Sequence, residues 1–256
     1  MTGHITIAIL AKDKAHTLPL YLRCIERLEW PKDKLFLYVR TNNNNDATVS
    51  VLNDWLDRVH GAYAGVYYDP ADVDVSVEKY GQHEWNPERF RVLAKIRQDS
   101  LAWARAHESH YFVADCDNFL HPGTLKELAY TNLPIVAPLL HSSSNYSNYH
   151  AAIDANGYLA ECPLYYDLLD RRICGLIEVP VVHCTYFVRH QALRHLSYDD
   201  GSGRYEYVIF SHSARRSHIP QYLDTRRSYG RISFAEDHAA LIAEPWFAEF
   251  QPVLAE

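Results

Sequence analysis

Residues 111–118 read YFVADCDN, and the fold class turns on this stretch. Tyr111, Phe112, Val113 and Ala114 form a short apolar run of the kind that fills a buried strand, and Asp115, Asp117 and Asn118 follow it. In an extended segment, side chains two positions apart lie on one side. Both carboxylates then face the same way and offer hard oxygen ligands that can hold Mg²⁺ or Mn²⁺ beside a diphosphate. The competing reading is structural, because aspartates at strand ends also cap helices and form turns, and HPGTL downstream has the look of a helix opening.

The flanks of this stretch repeat one pattern. Residues 5–10 (ITIAIL) read as a buried strand, residues 11–16 are polar, and residues 18–30 show helical spacing. Residues 35–40 (LFLYVR) restart the strand signal, the run 41–46 (TNNNND) interrupts it, and residues 47–59 resume a period near 3.6. Residues 88–106 carry apolar or small residues at Phe90, Leu93, Ala94, Ile96, Leu101 and Ala104, an amphipathic helix leading into the strand before Asp115. Strands alternating with helices predict an α/β fold with a parallel sheet, whose ligands sit where loops leave the carboxyl ends of strands. Residues 67–87 mix Pro, Gly and acids without periodicity and read as a long excursion over the sheet edge. Residues 135–140 are another apolar run, and residues 177–188 read as a strand pair or one bent strand.

The strand-end loops supply the remaining candidates. Asn42, Asn44 and the other asparagines of TNNNND bring amide donors and acceptors suited to a base edge or a ribose hydroxyl, or form an exposed turn. Ala11, Lys12 and Asp13 occupy the equivalent place after the first strand, where backbone groups can line the same nucleotide. Lys95 and Arg97 are two apart on a helix and cannot share a face, so only one is expected to point inward, to a phosphate or a carboxylate; Arg97 is favoured.

Composition narrows the function classes. The 256 residues are 48% hydrophobic, enough for one sizeable core, and a single domain over 1–256 is expected. Lys plus Arg number 25 against 32 Asp plus Glu, a formal charge of −7, so no basic field is available for a nucleic-acid backbone. No stretch approaches the roughly 18 consecutive apolar residues of a membrane span. The five cysteines form no CxxC pair, which argues against a disulfide scaffold or zinc ribbon and suits a reducing compartment. The opening MTGHITIAILAKDKAHTLP has no basic segment leading into an uninterrupted apolar one, so a first strand and a cytoplasmic location are expected.

Several segments, taken in order, resemble one family: ILAKDKAHTLP, TNNNNDATVSVLNDWL, HEWNPERF with AKIRQDSL, YFVADCDNFLHPGTL, IVAPLL, YSNYHAAIDANGY, DRR with VPVVH, and SHSARRSHIPQYLDTRRSYG. They are similar to the amino-terminal glycosyltransferase domain of the procollagen galactosyltransferases and the related cerebral endothelial cell adhesion molecule. The resemblance implies a GT-A fold, a UDP-sugar donor such as a UDP-hexose, a divalent metal, usually Mn²⁺, and transfer to a hydroxyl such as that of hydroxylysine. It places Asp115 and Asp117 on the family's metal-binding acids, and Asn44, Asp46 and Thr48 on the polar loop after the second strand. Asn42 stands where the family has an aspartate. Lys95, Arg97 and Gln98 match the KxRQ pattern, Trp85 a tryptophan, Asn148 the YSN segment and His183 the VPxVH segment. Trp85 and Asn148 are thereby acceptor-side candidates, and His183 an additional metal-ligand candidate against a satisfied strand histidine. The family's animal members carry a second transferase domain, so collagen specificity is not carried over.

Near the carboxyl end the family has two aspartates before an apolar helix, and this chain has Tyr205 and Glu206. An inverting transferase needs a carboxylate to take the acceptor's proton, which makes Glu206 the candidate base; the alternative is an exposed glutamate in a first helical turn. Trp85, Tyr146, Tyr149, Tyr165 and Tyr166 are candidates for a sugar or peptide platform, or ordinary core and rim aromatics. The acceptor expected on this reading is a glycan or polypeptide hydroxyl. A retaining glucosyltransferase, a silent sugar-nucleotide or glycan-binding module, and a metal-dependent phosphohydrolase are the rival readings.

Overall fold

The computed structural model describes residues 3–73 and 87–254. In chain order its strands are β1 (Ile5–Ala11), β2 (Leu35–Thr41), β3 (Gly65–Asp69), β4 (His110–Ala114), β5 (Asn118–Leu120), β6 (Ile135–Pro138), β7 (Leu140–His141), β8 (Tyr149–His150), β9 (Leu176–Glu178), β10 (Val181–Val182), β11 (Thr185–Val188), β12 (Gln221–Asp224) and β13 (Gly230–Ile232). The helices are α1 (Leu18–Glu26), α2 (Thr48–Val59), α3 (Pro87–Ala106), α4 (Thr124–Tyr130), α5 (Pro163–Leu169), α6 (His190–Leu193), α7 (Glu206–Arg216), α8 (His238–Ile242) and α9 (Gln251–Leu254).

Eight strands form one mixed sheet in the order β3-β2-β1-β4-β11-β6-β12-β9. β1 lies at its heart, parallel to β2 on one side and to β4 on the other. Helices on both faces explain the nearly unbroken apolar run ITIAILA, since a strand covered on two sides has no face left for water. Alternation along the strands sends Ile5, Ile7, Ile9, Phe112 and Ala114 to the side of α1 and α2, whereas Ala8, Tyr111 and Val113 join Leu101 and Ala104 of α3 on the other. Each of these fully buried isoleucines contributes roughly 1.5–3 kcal/mol.

The same parity sets the site. Cys116 falls in the α1 side of the core with Phe112 and Ala114, so Asp115 and Asp117 belong by alternation to the side of α3. The strand β11 runs antiparallel to β4, pairing Thr185 with Ala114, and the Asp115 amide continues that ladder to the Cys184 carbonyl at 3.0 Å. Beyond Asp117 the chain enters a second, three-stranded sheet in the order β5-β13-β7. There the Ser233 amide donates to the Asp117 carbonyl at 2.9 Å. Gly230 is needed for the close approach of β13 to β5, because a Cβ there would stand 2.1 Å from the Phe119 carbonyl oxygen.

Three local expectations change. Residues 67–69 end strand β3 instead of belonging to an excursion; the rest of that excursion, including Trp85, lies largely outside the described residues. The apolar run 135–140 is divided between β6 and β7, which sit in different sheets. Residues 177–188 hold parts of three strands, β9, β10 and β11, of which β10 pairs with β8 in a separate ribbon. A buried apolar run carries no mark of where it changes sheets.

Candidate active site

Three loops at the carboxyl ends of β1, β2 and β4 meet, as a parallel sheet requires of neighbouring strands. The first two are interlocked. The Asp13 amide donates to Asn44 Oδ1 at 2.9 Å, the Asn45 amide to Asp13 Oδ1 at 2.6 Å, and the Ala15 amide to Asp46 Oδ2 at 2.9 Å. The Lys14 amide donates to Thr48 Oγ1 at 2.7 Å, and Asp46 Oδ1 accepts from the Thr48 amide at 2.9 Å. Lys12 spans the two loops, donating to Asp13 Oδ2 and to the Asn43 carbonyl at 2.8 and 2.9 Å. Asn42 is buried and donates to Asn43 Oδ1, and Asn44 Nδ2 donates to Thr41 Oγ1. Ala11 is the buried last residue of β1. Asp13 and Asn43 hold left-handed backbone, φ +51° and +46°, which turns both loops back on each other and suits Asp and Asn better than branched residues.

Asp115 and Asp117 each meet a different cation. Arg97 Nη2 donates to Asp115 Oδ1 at 2.6 Å, and Lys14 Nζ donates to Asp117 Oδ2 at 2.8 Å. Arg97 also lies 3.5 Å from Glu206 Oε1 through Nε. Glu206 opens α7 and is 5% exposed, so it occupies the first helical turn that a solvated glutamate would, yet it is turned into the protein. Arg97 is equally buried. Lys95 points elsewhere: it is exposed and pairs with Asp99 at 2.8 Å, on a helix face about 200° from Arg97. Its expected contact with a nucleotide is not supported by this placement.

Electrostatics follow from these distances. Burial alone would push Arg97 toward neutrality, but Asp115 and then Glu206 outweigh it and hold the guanidinium charged. Burial raises Asp115 above the usual carboxylate range against the pull of Arg97, and the neighbouring Asp117 adds to the rise. Glu206 is raised for the same first reason, again with Arg97 opposing. Lys14 is penalised by burial and more than restored by Asp117, which leaves it raised and cationic.

Several buried polar atoms here have no hydrogen-bond partner among the described residues: Nε and Nη1 of Arg97, Oε2 of Glu206, Oδ1 of Asn118 and Nδ1 of His150. Unsatisfied buried groups are costly, and these atoms keep the capacity to bond water or a ligand.

Two hard carboxylates suit Mg²⁺ or Mn²⁺, ions that typically take one or two protein carboxylates and complete their shell with water and substrate phosphates. The Lys14 ammonium at Asp117 is a positive stand-in at that position. The residues present therefore fit a divalent cation. His183 does not complete such a site with them, since among the described residues no three of His, Cys, Asp and Glu come together as a metal-holding group. Its ring instead lies among Tyr146, His150 and Tyr207, with centroids 5.7, 5.3 and 5.0 Å away, and burial, His150 and Arg97 keep it neutral. Asn148 also plays a different part from the expected acceptor contact. It is fully buried, donates to the Pro138 and Thr185 carbonyls and accepts from the Leu140 amide, a clip between β6, β7 and β11. Of the aromatic candidates, Tyr149 and Tyr165 stack at 4.9 Å inside the core, whereas Tyr146 is exposed, its hydroxyl 3.5 Å from Cys184 Sγ.

Lys14 and Cys184 were not singled out from sequence. Cys184 has left-handed backbone, φ +61°, lies 2.9 Å from His183 Nδ1 through Sγ, and its carbonyl accepts from the Asp115 amide. The pairing of Lys14 with Asp117 spans 103 residues and leaves no local trace.

The model of the glycosyltransferase family 25 N-terminal domain matches residues 2–243. The chain is 34% identical over 238 residues to procollagen galactosyltransferase 2 of Homo sapiens, covering 89% of this chain and 38% of that protein. It is 32% identical over 239 residues to the inactive glycosyltransferase 25 family member 3 of Mus musculus, covering 90% and 40%. The chain thus spans about two fifths of the length of the curated relatives it matches. Among solved structures, S. aureus TarS 1-349 in complex with UDP-GlcNAc aligns with a TM-score of 0.59 at 12% identity, over 98% of this chain and 70% of that one. The mannosyltransferase PcManGT from Pyrobaculum calidifontis, in complex with GDP-Man and Mn²⁺, aligns with a TM-score of 0.54 at 14% identity, over 92% and 58%. At these identities the likeness shows the fold, the GT-A arrangement expected from the sequence resemblance. With nearly the whole chain matched by the family model and by relatives above 30% identity, this protein belongs to glycosyltransferase family 25.

Proposed function

We propose that the chain is a metal-dependent glycosyltransferase that moves a hexose, galactose or glucose, from a UDP-sugar to an acceptor hydroxyl on a glycan or polypeptide, with inversion at the anomeric carbon. The observation that carries this reading is the buried Arg97 bridging Asp115, at the end of β4, to Glu206, at the start of α7. One guanidinium thereby ties the acid pair suited to a cation to a third carboxylate that holds an unpartnered oxygen. The similarity to a human galactosyltransferase and the UDP-GlcNAc complex of a structural neighbour support the donor class.

Mn²⁺ or Mg²⁺, held by Asp115 and Asp117, would supply positive charge for a departing nucleoside diphosphate. The chain's own groups do the rest. The interlocked loops carrying Asn42, Asn44 and Asp46 present a rigid rim for the nucleoside, positioned before binding by hydrogen bonds already made. Glu206 takes the acceptor's proton: burial lifts its affinity for a proton toward the range a general base needs, and Arg97 limits that lift so that the carboxylate stays available. Tyr146, exposed beside Cys184, offers an apolar ring face for a sugar.

The test is turnover of UDP-galactose and UDP-glucose with Mn²⁺, with Asp117→Ala as the control variant. Metal-dependent release of UDP that disappears in Asp117→Ala with the melting temperature retained supports the reading, and turnover that persists in the variant removes it. The anomeric configuration of the product decides between inversion and retention. A second reading, a silent sugar-nucleotide-binding module, is favoured by the near-complete burial of Glu206 and by relatives described as inactive. UDP-sugar binding with neither transfer nor hydrolysis would establish it.

A further inference from the structure

The loop between β1 and α1 is built to deliver one ammonium group. Lys14 is held at its backbone by four bonds: its amide donates to Thr48 Oγ1, and its carbonyl accepts from the Thr17 and Leu18 amides at 3.1 and 2.9 Å and from Thr17 Oγ1 at 3.3 Å. The preceding Asp13 is locked in left-handed backbone by its contacts with Asn44 and Asn45. Lys12, the other cation of the loop, is already engaged by Asp13 and the Asn43 carbonyl. The Lys14 side chain is 25% exposed and that of Asp117 28%, so the pair sits at the mouth of the cluster, about a quarter open to water, while Arg97 and Glu206 are buried and hold atoms without a hydrogen-bond partner among the described residues.

Counted as ionised, the three carboxylates Asp115, Asp117 and Glu206 face two cations, Arg97 and Lys14. A dication arriving at Asp117 meets an oxygen already taken and a like charge beside it. Arg97 is enclosed and cannot leave; Lys14, on a flexible four-carbon stem at the mouth, can.

Resting on the metal-dependent reading above, we propose that Lys14 is an internal competitor for the cation position at Asp117, and that on metal entry its ammonium passes to the phosphates of the bound nucleotide. The metal then binds more weakly than the two carboxylates alone would allow, and metal and nucleotide binding become coupled: the cation frees Lys14, and the diphosphate gives it a new partner. The ligand is a nucleoside diphosphate together with a divalent cation.

The experiment is calorimetric binding with no sugar transfer involved. Mn²⁺ is titrated into the metal-free protein, and UDP or uridine into the Mn²⁺-saturated protein, for the wild type, Lys14→Met, Asp117→Asn and the double variant. Lys14→Met is expected to bind Mn²⁺ about tenfold more tightly and UDP about tenfold more weakly, as loss of one charge-assisted hydrogen bond implies, with uridine unchanged. On the Asp117→Asn background the substitution should no longer tighten Mn²⁺ binding. Equal or weaker Mn²⁺ binding by Lys14→Met, or an unchanged affinity for UDP, overturns the proposal while leaving the transferase reading in place. Absence of Mn²⁺ binding in all four proteins overturns both.

Discussion

Two regions that meet where Lys14 reaches Asp117 treat their polar atoms in opposite ways. The loops after β1 and β2 use their amides and carboxylates on each other: Asp13, Asn44, Asp46 and Thr48 all accept from backbone amides across or within the pair. Around Arg97 and Glu206, by contrast, four buried atoms of Arg97, Glu206 and Asn118 have no hydrogen-bond partner among the described residues. The first region is finished before anything binds and acts as a frame. The second keeps charge in a low-dielectric place with unmet hydrogen-bonding capacity, an arrangement that is costly in isolation and useful where a ligand completes it.

This contrast can be broken most forcefully at Arg97. Arg97→Met strands Glu206 as a buried carboxylate and takes the cation from Asp115, whose side chain is 27% exposed, and should lower unfolding free energy by about 3–5 kcal/mol, read from urea midpoints at neutral pH. A change below about 1 kcal/mol would mean that the unsatisfied region is ordinary surface.

The next largest effect is a pH dependence. His150 is buried beside His183 and Tyr207, and burial, helped by Arg215, depresses its pKa from the ordinary 6.5 to about 4. Between these values the unfolded chain binds the proton and the folded one does not. The contribution of His150 is therefore fully present above about pH 6.5 and is lost as pH falls toward 4, at most about 3 kcal/mol. Melting temperatures across that range should fall more steeply for the wild type than for His150→Phe.

Third comes the proposed base. Glu206→Gln should slow transfer about a hundredfold, equivalent to about 2.7 kcal/mol, while UDP affinity changes little; equal loss of both would assign Glu206 to binding. The smallest effect belongs to the frame. Asp46→Ala removes acceptors for the Ala15 and Thr48 amides and should cost about 1–2 kcal/mol of stability. If the loops preorganise the nucleoside rim, the same change weakens UDP binding more than Mn²⁺ binding.

Much of the frame was legible before the structure. The strands at 5–10, 35–40 and 111–114 appear in place, because a parallel strand covered on both faces must be almost wholly apolar and so announces itself. The helix carrying Arg97 and Lys95 was legible too, and its period shows that only one of them can face the sheet. Asn148 and Glu206 were not legible in the same way. An asparagine in a polar loop and a glutamate in a first helical turn look solvated in one dimension, and the first proved a buried clip while the second proved a buried partner of Arg97.

The chain by itself determines where strands and helices alternate, and that the two acids after β4 leave on one common side, since burial and side-chain parity are local properties of the sequence. Which cation meets which acid was decided only in three dimensions. Lys14 reaches Asp117 across 103 residues and Glu206 reaches Arg97 from another helix, and such pairings depend on the stacking order of strands and on the conformation of loops, to which no residue pattern along the chain is tied.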